Sequence, residues 1–492
     1  MVCEGRVELA GIRNDRAIAQ LSSGSTQEFL VTRSKTKMTP NSAQAKSPHP
    51  TPIRKRHNSI EAFDFVVFVI PCLQLIRIRV IGVLNGSDLL MLVIFLSLAL
   101  RGKLRVTSRV GKWSLILCSL WLASQCVTDI VRHSALADYA RGWSNIGLTF
   151  ISLAVLWTLL YGRPHRLTLY GWGLVIGGVL YAFINPNEMT AAGAPGDLWK
   201  FGLAFPLSLG AFLLASRKEC RGHWPITLAV LMGMINMVLG ARAVGGICLA
   251  AALYLSVTSL SRRKNPEIFR LKTRTMVALA ASIIIGGAAV MWAYQYTANA
   301  GILGERAKEK YDEESSGEYG VLLGGRTEVL ATFPAIYDSP ILGHGSWAKE
   351  PLYIILQNQA LARLGYKVAW NISNEQLQEG LIPTHSYLFG AWVDGGILGA
   401  VFWVWVFAMT ARVLTRVHPA TAVLLPVVSF LSFFLLWDIL FSPYGTPGRI
   451  SFPYSIVVLM TLMDAAASKM VRAMPARPPK RIKASLKLRP QG

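Results

Sequence analysis

The run TMVALAASIIIGGAAVMWAYQY, residues 275–296, decides what kind of protein this is. It carries no Asp, Glu, Lys or Arg. About 20 apolar residues in a helix are enough to cross the hydrocarbon core of a bilayer. The helix is the form that satisfies its own backbone polar groups there. The whole chain agrees with this run. Its 492 residues are 52% hydrophobic, with a mean hydropathy of +0.41. Repeated segments of period two, the mark of a transmembrane barrel, are missing from the sequence. The expected fold class is an all-α polytopic membrane protein.

Working outward from 275–296, the sequence reads as twelve spans: 62–79, 86–100, 113–131, 143–161, 168–184, 200–215, 224–240, 243–260, 275–296, 385–411, 420–440 and 450–467. Residues 1–60 are polar and rich in Ser, Thr, Pro and basic residues, and read as a disordered basic cytoplasmic tail. No secretory signal is read there, and Met38 is as good a start as Met1. The expected organisation is therefore a tail over 1–60, transmembrane helices 1–9 over 61–296, an extracytoplasmic loop over 297–384, helices 10–12 over 385–467, and a basic tail over 468–492.

Charge sets the sides. Inner loops in this scheme hold Arg101/Lys103/Arg105/Arg109/Lys112, Arg163/Arg166, Arg217/Lys218/Arg221, Arg262/Arg263/Lys264 and Arg412/Arg416. The outer loops hold fewer bases, and the long loop has more acids than bases. Lys and Arg accumulate on the cytoplasmic side, so both termini are expected inside and the long loop outside. The net charge of +23 is explained the same way, with no need for a nucleic-acid partner. The six cysteines, Cys3, Cys72, Cys118, Cys126, Cys220 and Cys248, form no CxxC pair and read as small apolar packing residues.

Only the 297–384 loop is long enough to build something outside the membrane. Arg326–Asp338 reads as an amphipathic helix with Val329, Leu330, Phe333, Ile336 and Tyr337 on its apolar side. Pro351–Leu364 reads as a second, with Leu352, Ile355, Leu356 and Leu361. Both are expected to lie on the membrane surface and cover the bundle, and 366–382 to be irregular. The Asp312-Glu313-Glu314 run reads as a solvated loop face, and His344 as part of a turn.

His385 falls at the start of a span. The positive end of a helix disfavours imidazolium, and a neutral ring there can take a proton from a hydroxyl. It stands equally well as a His hydrogen-bonded at the interface. Arg242 lies in Leu239-Gly240-Ala241-Arg242-Ala243-Val244-Gly245-Gly246 between two spans. An Arg at membrane depth is paired or functional, and small neighbours let helices approach closely. Arg242 and Arg326 together can grip a phosphate or diphosphate, or each can anchor the interface. There is no P-loop, and no metal site is read.

These features resemble the O-antigen ligase and polymerase-like superfamily of bacterial inner-membrane glycosyltransferases. The likeness covers roughly residues 60–467. It rests on about twelve spans with one large outer loop between the ninth and tenth, and on Gly240-Ala241-Arg242 before the eighth. It rests also on Arg326 followed by Ser339-Pro340-Ile341-Leu342-Gly343-His344-Gly345, like the family's Pro-x-x-Gly-x-Gly. The last pieces are Thr384-His385-Ser386-Tyr387-Leu388 and Asp394-Gly395-Gly396-Ile397-Leu398-Gly399. Ser386 stands where Asn is common, Asp394 where Glu is, and Ala241 where Ser is.

The resemblance implies transfer of a glycan from undecaprenyl pyrophosphate to an acceptor hydroxyl on a glycolipid or glycan, outside the inner membrane, with neither cofactor nor metal. It implies that Arg242 and Arg326 hold the pyrophosphate, that His385 deprotonates or orients the acceptor, and that Gly343 and Gly345 belong to the substrate-binding loop. Lipid A-core is the leading acceptor, which makes the chain an O-antigen ligase. A polymerase of O-antigen or exopolysaccharide is the alternative, and a lipid-linked-glycan flippase is more distant. A transporter is expected to show internal repeats and broken helices, and no repeat is read here.

Overall fold

A computed structural model of the protein describes residues 62–80, 82–186, 198–217, 222–264, 271–301, 304–367, 380–416 and 423–473. The expected N-terminal tail, residues 474–492 and residues 368–379 of the irregular stretch lie outside them. The described chain is helical apart from one antiparallel hairpin, β1 (Arg77–Arg79) with β2 (Val83–Asn85), and an isolated bridge between Lys349 and Leu381.

The helices before the loop are α1 (Ala62–Cys72), α2 (Gly86–Leu100), α3 (Arg109–Arg132), α4 (Leu136–Leu160), α5 (Pro164–Ile184), α6 (Ala204–Ala215), α7 (Trp224–Val238), α8 (Arg242–Lys264) and α9 (Thr273–Asn299). The loop holds α10 (Glu305–Glu314), α11 (Gly320–Gly324), α12 (Val329–Asp338) and α13 (Pro351–Arg363). After it come α14 (Tyr387–Gly395), α15 (Ile397–Thr415), α16 (Leu425–Phe441) and α17 (Gly448–Ala473). Six of these helices are long and apolar enough to cross a membrane, and five apolar helices are shorter. α9 exposes Val277, Ile284, Ile285, Trp292 and Tyr296. So much apolar side chain on one helix calls for a lipid surrounding.

Side-chain ties sort the helix ends into two groups. At one end Arg166 pairs with Asp64 (2.7 Å), the Arg105 amide donates to Thr158 (3.2 Å), Tyr161 bonds Asp464 and Tyr254 donates to the Leu414 carbonyl (2.9 Å). This is the end that carries the basic loops. At the other, Asn185 donates to the Leu75 carbonyl (2.9 Å), Arg449 to the Val83 carbonyl (2.7 Å), and the loop helices gather. Between the two ends an aromatic core joins Trp121, Phe402, Trp403, Tyr387 and Tyr444, with centroids 4.9–5.5 Å apart for Trp121–Phe402, Trp121–Trp403, Tyr387–Trp403 and Trp403–Tyr444.

Four sequence expectations change. The span read as 62–79 is helical only to Cys72, continued by a short 3-10 turn at Leu73–Leu75. Arg77 and Arg79 leave it and form β1 instead. The span read as 385–411 is two helices, α14 and α15, broken at Gly396 with φ +69°. Only glycine takes that angle freely, and here a side chain would also strike the Ile341 and Leu342 backbone. The helix read as starting at Arg326 starts at Val329, leaving Arg326 in the turn before it. The last helix runs on to Ala473, into what was read as tail from 468.

The buried face of α12 also differs from the one its apolar pattern suggested. Ala331, Thr332, Ala335 and Ile336 are buried, packed with Tyr353, Ile382 and Val393. Tyr337 faces outward, at 86% exposure. Small residues let α12 settle closely on α13 and α14. Ile336 keeps its expected place on the buried side, and Phe333, half-exposed, meets Phe389 edge-on.

Candidate functional site

Arg242 is placed by the joint between α7 and α8. Gly240 closes α7 at φ +82°, and the Ala241 amide returns to the Asn236 carbonyl (2.8 Å). α8 begins at once with Arg242. Gly233 and Gly245 let the two helices touch: a Cβ on Gly245 would lie 3.0 Å from the Gly233 carbonyl oxygen. The expected close approach of helices is thus present. The Arg242 guanidinium lies 4.7 Å from the Tyr294 ring centroid, on α9. It donates to both carboxylate oxygens of Glu314, at 3.1 and 3.3 Å.

Glu314 ends α10, and the 312–314 run is helical rather than loop. Asp312 and Glu313 are exposed, as a solvated face requires; Glu314 is not, at 12% side-chain exposure. Gly324 ends α11 directly against the Glu314 backbone, where a Cβ would collide with it. Two residues later comes Arg326. Its guanidinium rests over Trp437 and Phe441 of α16, 5.7 and 5.5 Å from their centroids. Burial pulls its pKa below the usual guanidinium value, and the carboxylates of Glu328 and Glu314 push it back up. Arg keeps its charge in such surroundings.

Glu328 follows in the same turn. The Thr332 hydroxyl is shared between the carbonyls of Glu328 (2.9 Å) and Pro383 (2.8 Å), which ties the start of α12 to the approach of α14. That tie sets the Glu328 carboxylate opposite His385, with Oε1 3.3 Å from Nδ1. The other oxygen, Oε2, is buried without a hydrogen-bond partner among the described residues. His385 is 46% exposed.

His385 lies one residue before the helix N-cap. Ser386 is the cap: its hydroxyl accepts from the Phe389 amide (3.1 Å) and donates to the Ile439 carbonyl (2.7 Å). Beside the helix end expected to act on it, the ring has a carboxylate neighbour in Glu328. The tautomer with its proton on Nδ1, towards Glu328, has Nε2 left to accept.

Arg242 is thus paired with Glu314 and His385 faces Glu328, and the charges of both glutamates act on Arg326. Gly343 and Gly345 are not joined to them by any described contact. They fit the loop to the bundle at a second place. The His344 amide donates to the Val393 carbonyl (2.7 Å) and the Gly345 amide to that of Asp394 (3.0 Å). A Cβ on Gly343 would lie 2.6 Å from the Gly396 nitrogen, and one on Gly345 2.6 Å from Ser134 Oγ. His344 is a buried bridge, its ring nitrogens each 2.7 Å from Glu350 Oε1 and the Ala335 carbonyl.

The second place is built on α3. Asp129 accepts from the Ser346 amide (2.6 Å), Ser134 Oγ (2.8 Å), Trp143 Nε1 (2.7 Å) and Ser346 Oγ (2.7 Å). Arg132 donates to Ser339 Oγ (2.8 Å) and the Gly343 carbonyl (3.1 Å). Sequence reasoning singled out none of Glu314, Glu328, Asp129 and Arg132 for these contacts. Glu328 had one signal, its place two residues after Arg326. Glu314 had none to separate it from its two neighbours.

An aromatic-backed guanidinium that takes both oxygens of a carboxylate is a setting for an oxyanion such as phosphate. An exposed imidazole with a carboxylate behind it is a setting for proton abstraction. Among the described residues no three His, Cys, Asp or Glu side chains gather as a metal set. Compared with family models and with curated proteins, the chain matches none.

Proposed function

We propose that this chain is a polytopic glycosyltransferase of the O-antigen ligase and polymerase type, with twelve spans and the long loop on the outer face of a bacterial inner membrane. The observation that supports the reading concerns Arg242, Arg326 and His385: the first and the last each face a glutamate, and both glutamates act on the second. The three come from a helix joint, a loop turn and the approach to another helix. The donor is a glycan on undecaprenyl pyrophosphate and the acceptor a hydroxyl, with lipid A-core the leading choice.

In this reading the acceptor oxygen forms a bond to the anomeric carbon of the donor sugar. The bond from that carbon to the diphosphate oxygen breaks, and the electron pair leaves with the diphosphate. His385 Nε2 receives the hydroxyl proton. Arg242 and Arg326 bind the diphosphate and stabilise the charge that grows on it. No nucleotide is needed, because the donor is already activated.

The test is transfer in vitro with purified lipid-linked donor and defined acceptors, comparing wild type with His385→Ala and Arg242→Ala at equal membrane levels. Full activity in both variants sinks the assignment. The surface polysaccharide of a deletion strain separates the two acceptor classes. Loss of a ligase leaves lipid A-core with no repeats, and loss of a polymerase leaves one repeat attached. A reporter enzyme active only outside the cytoplasm, fused within 297–384, checks the sidedness; an inactive fusion overturns it.

A further inference from the structure

Arg242 already holds an anion, and that anion is part of the chain. Glu314 meets the guanidinium through both of its oxygens, at 3.1–3.3 Å, with Tyr294 behind the guanidinium plane. A two-oxygen contact of this kind is how guanidinium also takes a phosphate. Glu314 is set apart from its neighbours by its burial, and its field reaches Arg326 as well. Gly324 lets α11 abut the end of α10, because a Cβ there would strike the Glu314 backbone.

We propose that Glu314 occupies the phosphate seat between turnovers, and that a diphosphate binds by displacing it. The inference rests on the functional reading above and deepens it. Glu314 brings one carboxylate charge to Arg242. A ligand that replaces it gains only by carrying more negative charge, as a diphosphate does and a carboxylate-bearing sugar does not. The element that moves is α10, whose helix contacts are with α9 and α11. Glu314 thus keeps Arg242 from lipid headgroups and stray anions until a better anion arrives.

The test is titration of detergent-purified full-length protein with inorganic pyrophosphate, read by calorimetry. Glu314→Gln keeps the shape and removes the charge, and is expected to bind about ten-fold tighter than wild type. Glu314→Asp keeps the charge on a shorter stem that reaches Arg242 less well. It is expected to bind between the two and serves if the glutamine variant fails to fold. Arg242→Ala is expected to lose binding. If Arg242→Ala weakens binding but neither Glu314 variant strengthens it, the displacement proposal falls and the functional reading stands. If wild type and Arg242→Ala bind alike, or neither wild type nor Glu314→Gln binds, the functional reading falls with it.

Discussion

The long loop meets the bundle in two places, and the two are built to opposite plans. At Asp129 the carboxylate is buried and hydrogen-bonded to backbone, hydroxyl and indole groups, and Arg132, itself exposed, adds bonds to the Ser339 hydroxyl and the Gly343 carbonyl. Four donors converge on the Asp129 carboxylate alone. Around Arg242, Arg326 and His385 the side chains are only partly buried; aromatic faces back the two guanidiniums, and glutamates face Arg242 and His385. A saturated carboxylate has nothing left to offer a ligand. A cation held by one exchangeable carboxylate does. The first place fixes the loop, and the second is open to chemistry. Substitutions should separate them, the first moving stability and the second activity.

The largest separation is expected at His385. His385→Ala should cost glycan transfer roughly 10²–10⁴-fold, the size of a lost general base. Its thermal unfolding in detergent should match wild type, because the side chain is half-exposed. A matched fall in both would make His385 structural. Asp129→Ala should do the reverse, strand Ser346 and Trp143 donors in a buried place, and cost about 3 kcal/mol of stability. An unfolding midpoint equal to wild type would show that the anchor is not one.

Glu328→Gln tests whether the carboxylate behind His385 matters. It should lower transfer by at least about 10-fold, because the carboxylate behind a working imidazole holds its tautomer and orientation. The rate-against-pH profile should shift too, which a merely structural role for Glu328 would not produce. The smallest effects are expected on α12. Ala335→Leu should cost about 1–3 kcal/mol, because Ala335 is fully buried against α13 and α14. Tyr337→Ser should change stability by no more than about 0.5 kcal/mol. Equal costs at the two would restore the apolar face that periodicity suggested.

Much of the fold could be read from local composition. Charge-free apolar runs such as 275–296 need no partner to be recognised as helices, and basic loops mark one side of them. What could not be read is instructive residue by residue. Val329, Phe333 and Tyr337 look like a core stripe, but hydrophobicity alone does not say whether a stripe faces protein or lipid. In a membrane protein both choices keep it from water. Gly396 looks like one more small residue in a continuous span. The helix stops at Gly395 because the backbone of Ile341 and Leu342, from the far side of the loop, lies against Gly396.

The sequence by itself determined a helical membrane architecture, its large loop, and three residues that stand out by charge in apolar or motif settings. Those properties are local, since an apolar run or an Arg among small residues carries its own energetic consequence. Only the tertiary structure decided that Glu314 rather than Asp312 or Glu313 meets Arg242, that Glu328 meets His385, and that Gly343 and Gly345 serve packing. Each depends on which helix ends are brought together. Ion pairs form wherever packing leaves two opposite charges within reach, and no spacing along the chain encodes that.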